Sequence, residues 1–141
     1  MNIDWVIPCR YVEVHDNLGT IIGAGIDTFW LPNLPAQLQV LLAIRLLAMT
    51  EELDPAIQHP IRNVIRDPNG ELVTEQSGTF AIGAQSARPE WLAGIIVPTA
   101  VVFQVNDEGT YTIEFGIDDA SESLPIHVVH GLPPGMPGSA A

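Results

Sequence analysis

The sequence predicts an all-β protein, an antiparallel β-sandwich of about eight strands of the immunoglobulin-like or jelly-roll type. Three observations point there. From Gly109 to Asp118 the chain alternates without a break, with Tyr111, Ile113, Phe115 and Ile117 on one face and Thr110, Thr112, Glu114, Gly116 and Asp118 on the other. A period of two is what a strand with one buried face requires, because successive side chains point to opposite sides of a sheet. Just upstream, Val101, Phe103 and Val105 alternate in the same way, and Asn106-Asp107-Glu108-Gly109 supplies turn chemistry between the runs. The two runs are expected to pair as a hairpin at the centre of the sandwich. Finally, short runs of this kind recur along the chain with turn signals between them and no secure helix.

Taken in order, residues 5–14 read as a first strand, in which Pro8 implies an edge position or a bulge because proline cannot donate to a sheet ladder. His15 to Gly19 is a turn, and Thr20 to Trp30 a second strand with Gly23 and Gly25 together on one face. Leu38 to Met49 is rich in helix formers, but Gln37, Gln39 and Arg45 keep period two, which favours a strand. Thr50 to Pro60 is then a polar connection. Residues 61–67 and 71–82 form a hairpin across Asp67-Pro68-Asn69-Gly70, a type I turn position by position. Gly83 to Ala93 is a loop, Asp119 to Ser123 a turn, and Leu124 to Val129 the last strand. Residues 1–130 are expected to be one domain and 131–141 a Pro/Gly-rich tail without regular structure.

Composition narrows the function classes. Seventeen acidic residues against five arginines, and no lysine, give a net charge of −12. That field repels phosphate, so neither nucleic acid nor an anionic membrane is an expected partner. The absence of lysine removes P-loop and Schiff-base chemistry. A single cysteine, Cys9, offers no intramolecular disulfide, and it reads as a buried structural residue. The stretch Met1 to Trp5 lacks the pattern of a signal peptide, and the apolar run Leu38 to Met49 is short and carries Arg45, so a cytoplasmic location is expected.

Gly109-Thr110-Tyr111 entering a strand resembles the tyrosine corner of immunoglobulin-like sandwiches, where the hydroxyl ties back to the backbone. More broadly, Trp5 to Tyr11, Leu18 to Gly25, Val40 to Arg45, Arg66 to Gly70 and Gly109 to Tyr111, in that order, resemble a family of small, largely actinobacterial proteins of unknown function. The resemblance extends to about Val129. It implies a β-sandwich and favours a strand for Leu38 to Met49, and because its motifs are glycines, turns and alternating apolar residues it lends no catalytic residue.

No catalytic set stands out. Gly23-Ala24-Gly25 lacks the third glycine and following helix of a dinucleotide site. No G-x-S-x-G elbow occurs. His127 and His130 fall on opposite faces of one strand, and His15 and His59 read as loop residues, so neither a metal nor any cofactor is expected. The favoured reading is a structural or interaction module forming a homo-oligomer, most simply a dimer, or binding a protein partner. Phe29, Trp30, Leu31 and Trp91 are the candidate contacts. A second reading uses one end of the sandwich. If every strand reverses direction, four connections share an end holding Asp16, Glu51, Glu52, Asp54, Glu90, Asp118, Asp119 and Glu122, eight of the 17 acids. Such an end suits a weakly bound cation, a small ligand or a basic partner, and a hydrolase using paired carboxylates stays open beside it.

Overall fold

The computed structural model describes residues 1–83 and 87–138. Strands β1 (Asn2–Cys9), β5 (Ala36–Ala48) and β8 (Ala93–Val105) form one sheet in the order β1-β5-β8. Strands β4 (Thr28–Leu31), β6 (His59–Arg66), β7 (Leu72–Phe80), β9 (Gly109–Ile117) and β10 (Ala120–His130) form the other, in the order β4-β10-β9-β6-β7. Strands β2 (Tyr11–His15) and β3 (Leu18–Ile22) make a separate hairpin. The protein is therefore all-β, as expected, with ten strands among the described residues rather than eight.

The two larger sheets lie face to face over one core. Leu42, Ile44, Val101 and Phe103 from the first meet Ile65, Tyr111, Ile113, Phe115, Ile117 and Ile126 from the second. Burial of these side chains drives the assembly, at roughly 1.5–3 kcal/mol for each large aliphatic or aromatic group removed from water. The segment Leu38 to Met49 is indeed a strand, since β5 buries Leu38, Val40, Leu42, Ile44 and Leu46 on its inner face. One polar oxygen sits badly among the described residues: Asn63 is 5% exposed and its Oδ1 has no hydrogen-bond partner.

The expected central hairpin does not form. β8 pairs with β5, whereas β9 pairs with β6 and β10, so Asn106 to Glu108 carries the chain from one sheet to the facing one. Both runs bury their apolar faces in the same core, and alternation alone does not distinguish neighbours within a sheet from partners across it. The crossing is fastened as the corner resemblance implied: the Tyr111 hydroxyl donates to the Asp107 carbonyl at 2.8 Å. Across the core, the Phe103 and Tyr111 rings lie 5.6 Å apart.

Other boundaries move for local reasons. The first strand breaks at Arg10 into β1 and β2. The second breaks after Ile22 because Gly23 (φ 66°) and Gly25 (φ 84°) are left-handed, and the chain passes from β3 into β4 of a different sheet. A Cβ on Gly23 would also meet the Arg10 side chain at 2.7 Å. β4 then joins β10 in parallel, an exception in the otherwise antiparallel pairing. The connection after β5 holds a short 3-10 helix, Thr50–Leu53. The last turn shortens to Asp118-Asp119, with Asp118 at φ 50°, so β10 begins at Ala120 rather than at Leu124. Asp67 to Gly70 forms the expected turn, Gly70 N–H donating to Asp67 O at 2.9 Å. The expected loop from Gly83 to Ala93 includes residues 84–86, and the expected tail includes 139–141, which lie outside the described residues.

Candidate functional site

Strand directions bring the expected connections to one end. Ala48 of β5 is registered with Ala93 of β8, and Asn2 of β1 with Leu47. His59 of β6 is registered with Phe80, and Ile61 with Ile117 beside the Asp118-Asp119 turn. The β2–β3 turn, Asp16-Asn17, reaches the same end, where the Asn17 side-chain amide donates to Gly94 O at 2.9 Å.

The eight acids do not act as one surface there. Glu52, in the 3-10 helix, is half-buried and accepts from the Met1 amine and, at 2.9 Å, from Met49 N–H. Burial works against its charge, but the Met1 amine, Met49 N–H and the His59 charge outweigh it and hold the carboxyl below its ordinary value. Reciprocally, burial pulls the amine down while Glu52 and Asp118 raise it further, so its pKa ends above the ordinary value. Asp118 is committed inward too, with its carboxylate 3.0 and 3.2 Å from His59 Nδ1 and 3.6 Å from the amine. Asp54 accepts from Ala56 N–H within its own turn. Glu122 lies on β10 opposite Phe115, away from the turn. Asp16, Glu51, Glu90 and Asp119 are exposed.

His59 is a core residue of β6 rather than the expected loop residue. It is buried at 4% exposure, not a surface loop residue, and its signal was present: His59, Ile61, Asn63 and Ile65 share one strand face. Its ring lies between two acceptors, the Asp118 carboxylate at Nδ1 and the Glu52 carbonyl at Nε2, 3.0 Å away. A carbonyl can only accept, so Nε2 carries the proton and donates it. Nδ1 faces the Asp118 carboxylate inside the same buried site, so neither ring nitrogen is turned toward a substrate. The His–Asp pair therefore fastens the 3-10 helix to the β9–β10 turn, and a general-base role does not fit it. Among the described residues, no three His, Cys, Asp or Glu side chains are grouped so that they could hold a metal ion.

Apolar side chains share this end. Trp91 and Leu92 are 52% and 51% exposed, and Met49 and Ile57 are also exposed. The Thr50 hydroxyl donates to Pro89 O at 3.1 Å, which sets the Trp91 loop beside the 3-10 helix. The Arg88 guanidinium lies 5.0 Å from the centre of the Trp91 ring. The other sequence-selected contacts are elsewhere: Phe29 and Leu31 are half-buried against the core from β4, with Trp30 half-buried between them. Phe29 and Leu31 are thus packing residues of an edge strand. Cys9 is buried with its thiol near Leu41 O, and burial raises its pKa, in keeping with a structural role.

The chain belongs to a family of unknown function, DUF6941, whose model matches residues 4–129. That agrees with the resemblance read from the sequence in both its extent and its lack of an assigned activity. A comparison with curated proteins finds no match.

Proposed function

We propose that the protein is a non-enzymatic interaction module that binds a basic, partly apolar segment of a partner protein at the Trp91 end. The observation that carries this reading is the combination of exposed Trp91, Leu92, Ile57 and Met49 with exposed Glu51, Glu90 and Asp119 at one end. Exposed aromatics surrounded by polar residues are the usual material of interface centres, and tryptophan is enriched among residues that dominate binding. The carboxylates, on a chain of net charge −12 without lysine, attract cationic segments and repel acidic ones. The Trp91 ring already takes one guanidinium, so a partner arginine has a chemically matched place to stack. A cytoplasmic location fits the single buried cysteine.

The test is titration of the protein with a short peptide of alternating Arg and Leu, beside one in which Glu replaces Arg, read by calorimetry at several salt concentrations. The expected result is saturable binding of the Arg peptide alone, weakened by salt and at least about tenfold weaker for Trp91→Ala, the equivalent of ~1.4 kcal/mol. Equal binding of both peptides, or a Trp91→Ala protein that binds like the parent, overturns the reading.

A further inference from the structure

The two main sheets present four edges, and three are closed by their own chemistry. β1 carries Pro8, and its pairing with β5 slips between Ile3 and Trp5. β8 carries Pro98, which has no N–H, and its Val102 carbonyl already accepts the Gln76 side-chain amide at 3.2 Å. β4 is four residues long and runs into the proline-rich link from Leu31 to Pro35. These are familiar ways in which sheets avoid pairing with other chains. β7 differs. It is nine residues long with no proline and no basic residue, and its one irregularity leaves Val73 as the extra residue near its start. From Thr74 to Phe80 it is a regular strand, paired with β6 on one side.

We propose that this stretch pairs antiparallel with β7 of a second copy, about a two-fold axis at Ser77, joining two five-stranded sheets into one. The stretch is seven residues with Ser77 at its centre. The axis therefore sets Ser77 opposite Ser77 of the second copy, Gln76 opposite Gly78, Glu75 opposite Thr79 and Thr74 opposite Phe80. Glu75 is the single charge in the stretch, so no like charges face each other, and Thr74 with Phe80 makes a β-branched–aromatic pair of the stabilising kind. The ladder would add roughly six to eight backbone hydrogen bonds.

Local charge is compatible with a second copy here, because two acidic residues of this flank have an arginine partner, Arg62 lying near both Glu75 and Glu114. Arg62 and Arg66, two of the five arginines, lie on β6 beside the edge, with Arg62 Nε 3.5 Å from Glu75. They partly offset Glu71, Glu75 and Glu114 on this flank. The contact is centred on Ser77 and reaches the Trp91 end only at Phe80, registered with His59, so variants at Ser77 and at Trp91 separate self-pairing from partner binding.

Sedimentation at about 100 μM should give twice the 15.2 kDa chain mass, since even a dimer with a Kd of a few micromolar forms there. Ser77 is exposed, so Ser77→Lys and Ser77→Glu should keep the parent circular dichroism spectrum; each alone should be monomeric, and an equal mixture should restore the dimer. Ser77→Cys, the gentler variant, should oxidise to a covalent dimer, because directly opposed residues lie about 4.5–5.5 Å apart at Cα, within disulfide reach. Thr79→Cys, facing Glu75 instead of itself, should not. A monomeric parent overturns the proposal. So does a dimer that Ser77→Lys leaves intact, or one in which Thr79→Cys cross-links as readily as Ser77→Cys.

Discussion

Tyr111→Phe removes one oxygen atom and tests whether the crossing between the sheets is held by a hydrogen bond or by packing alone. The ring is 2% exposed, and its hydroxyl donates to Asp107 O at 2.8 Å, spanning the crossing. Phenylalanine keeps the ring and its contact with Phe103, so only the bond is lost. Two magnitudes compete. A net intramolecular hydrogen bond contributes about 0.5–1.5 kcal/mol, whereas leaving a buried carbonyl unpaired costs about 1–3 kcal/mol. Asp107 is exposed and lines, with Tyr111, an open depression, so water can replace the lost donor and the smaller figure should hold. For a chain of this size that is a fall in Tm of roughly 2–6 °C, readable by thermal melts, with an unchanged slope in urea unfolding. A loss of about 2–3 kcal/mol, above the range of a rehydrated bond, would show that the carbonyl is not rehydrated. No loss at all would show that packing alone holds the crossing.

Phe115→Ala should be far worse: the ring is 1% exposed in the middle of the core, and the expected cost is about 3–5 kcal/mol by urea unfolding. A variant as stable as the parent would remove β9 from the centre of the core. The Glu52–Met1 pair should give stability an arm on each side of neutrality. Glu52 is lowered from 4.5, so its contribution is complete above that value and is lost as pH falls through the lowered one. The amine is raised from 8.0, so its contribution is complete below that value and is lost as pH rises through the raised one. Unfolding midpoints across pH should be highest between these limits, and Glu52→Gln should flatten both arms; a Glu52→Gln profile parallel to the parent's would assign the arms to other groups.

The sequence showed which faces are buried and left open which strands are neighbours. Period two selected Tyr111, Ile113, Phe115 and Ile117 correctly, and all four lie in the core. It could not separate a hairpin from a crossing between sheets, because Val101, Phe103 and Val105 point into the same core in either case. Turn chemistry did separate them where the turn was strict. Asp67 to Gly70 fixes a hairpin with its proline and left-handed glycine, whereas Asn106 to Glu108 suits either connection. The signal that distinguishes them was the tyrosine, whose hydroxyl reaches back four residues to brace the crossing.

The acidic end shows the same limit in electrostatic form. Chain reversal places the carboxylates at one end from parity alone, but counting charges treats them as equivalent. In the fold, Glu52 and Asp118 are bonded inward to Met1 and His59, and Asp54 to its own turn. Adjacent residues thus differ in employment: the Asp118 carboxylate lies against the buried His59, while Asp119 is exposed at the turn. The distinction follows from the left-handed backbone at Asp118 and its N–H bond to Pro60 O, which aim one carboxylate at His59. Neutralising Asp118 therefore removes the acceptor of a buried histidine and acts through the fold. On the proposed interaction reading, neutralising Asp119 instead acts through the surface charge that an approaching partner meets.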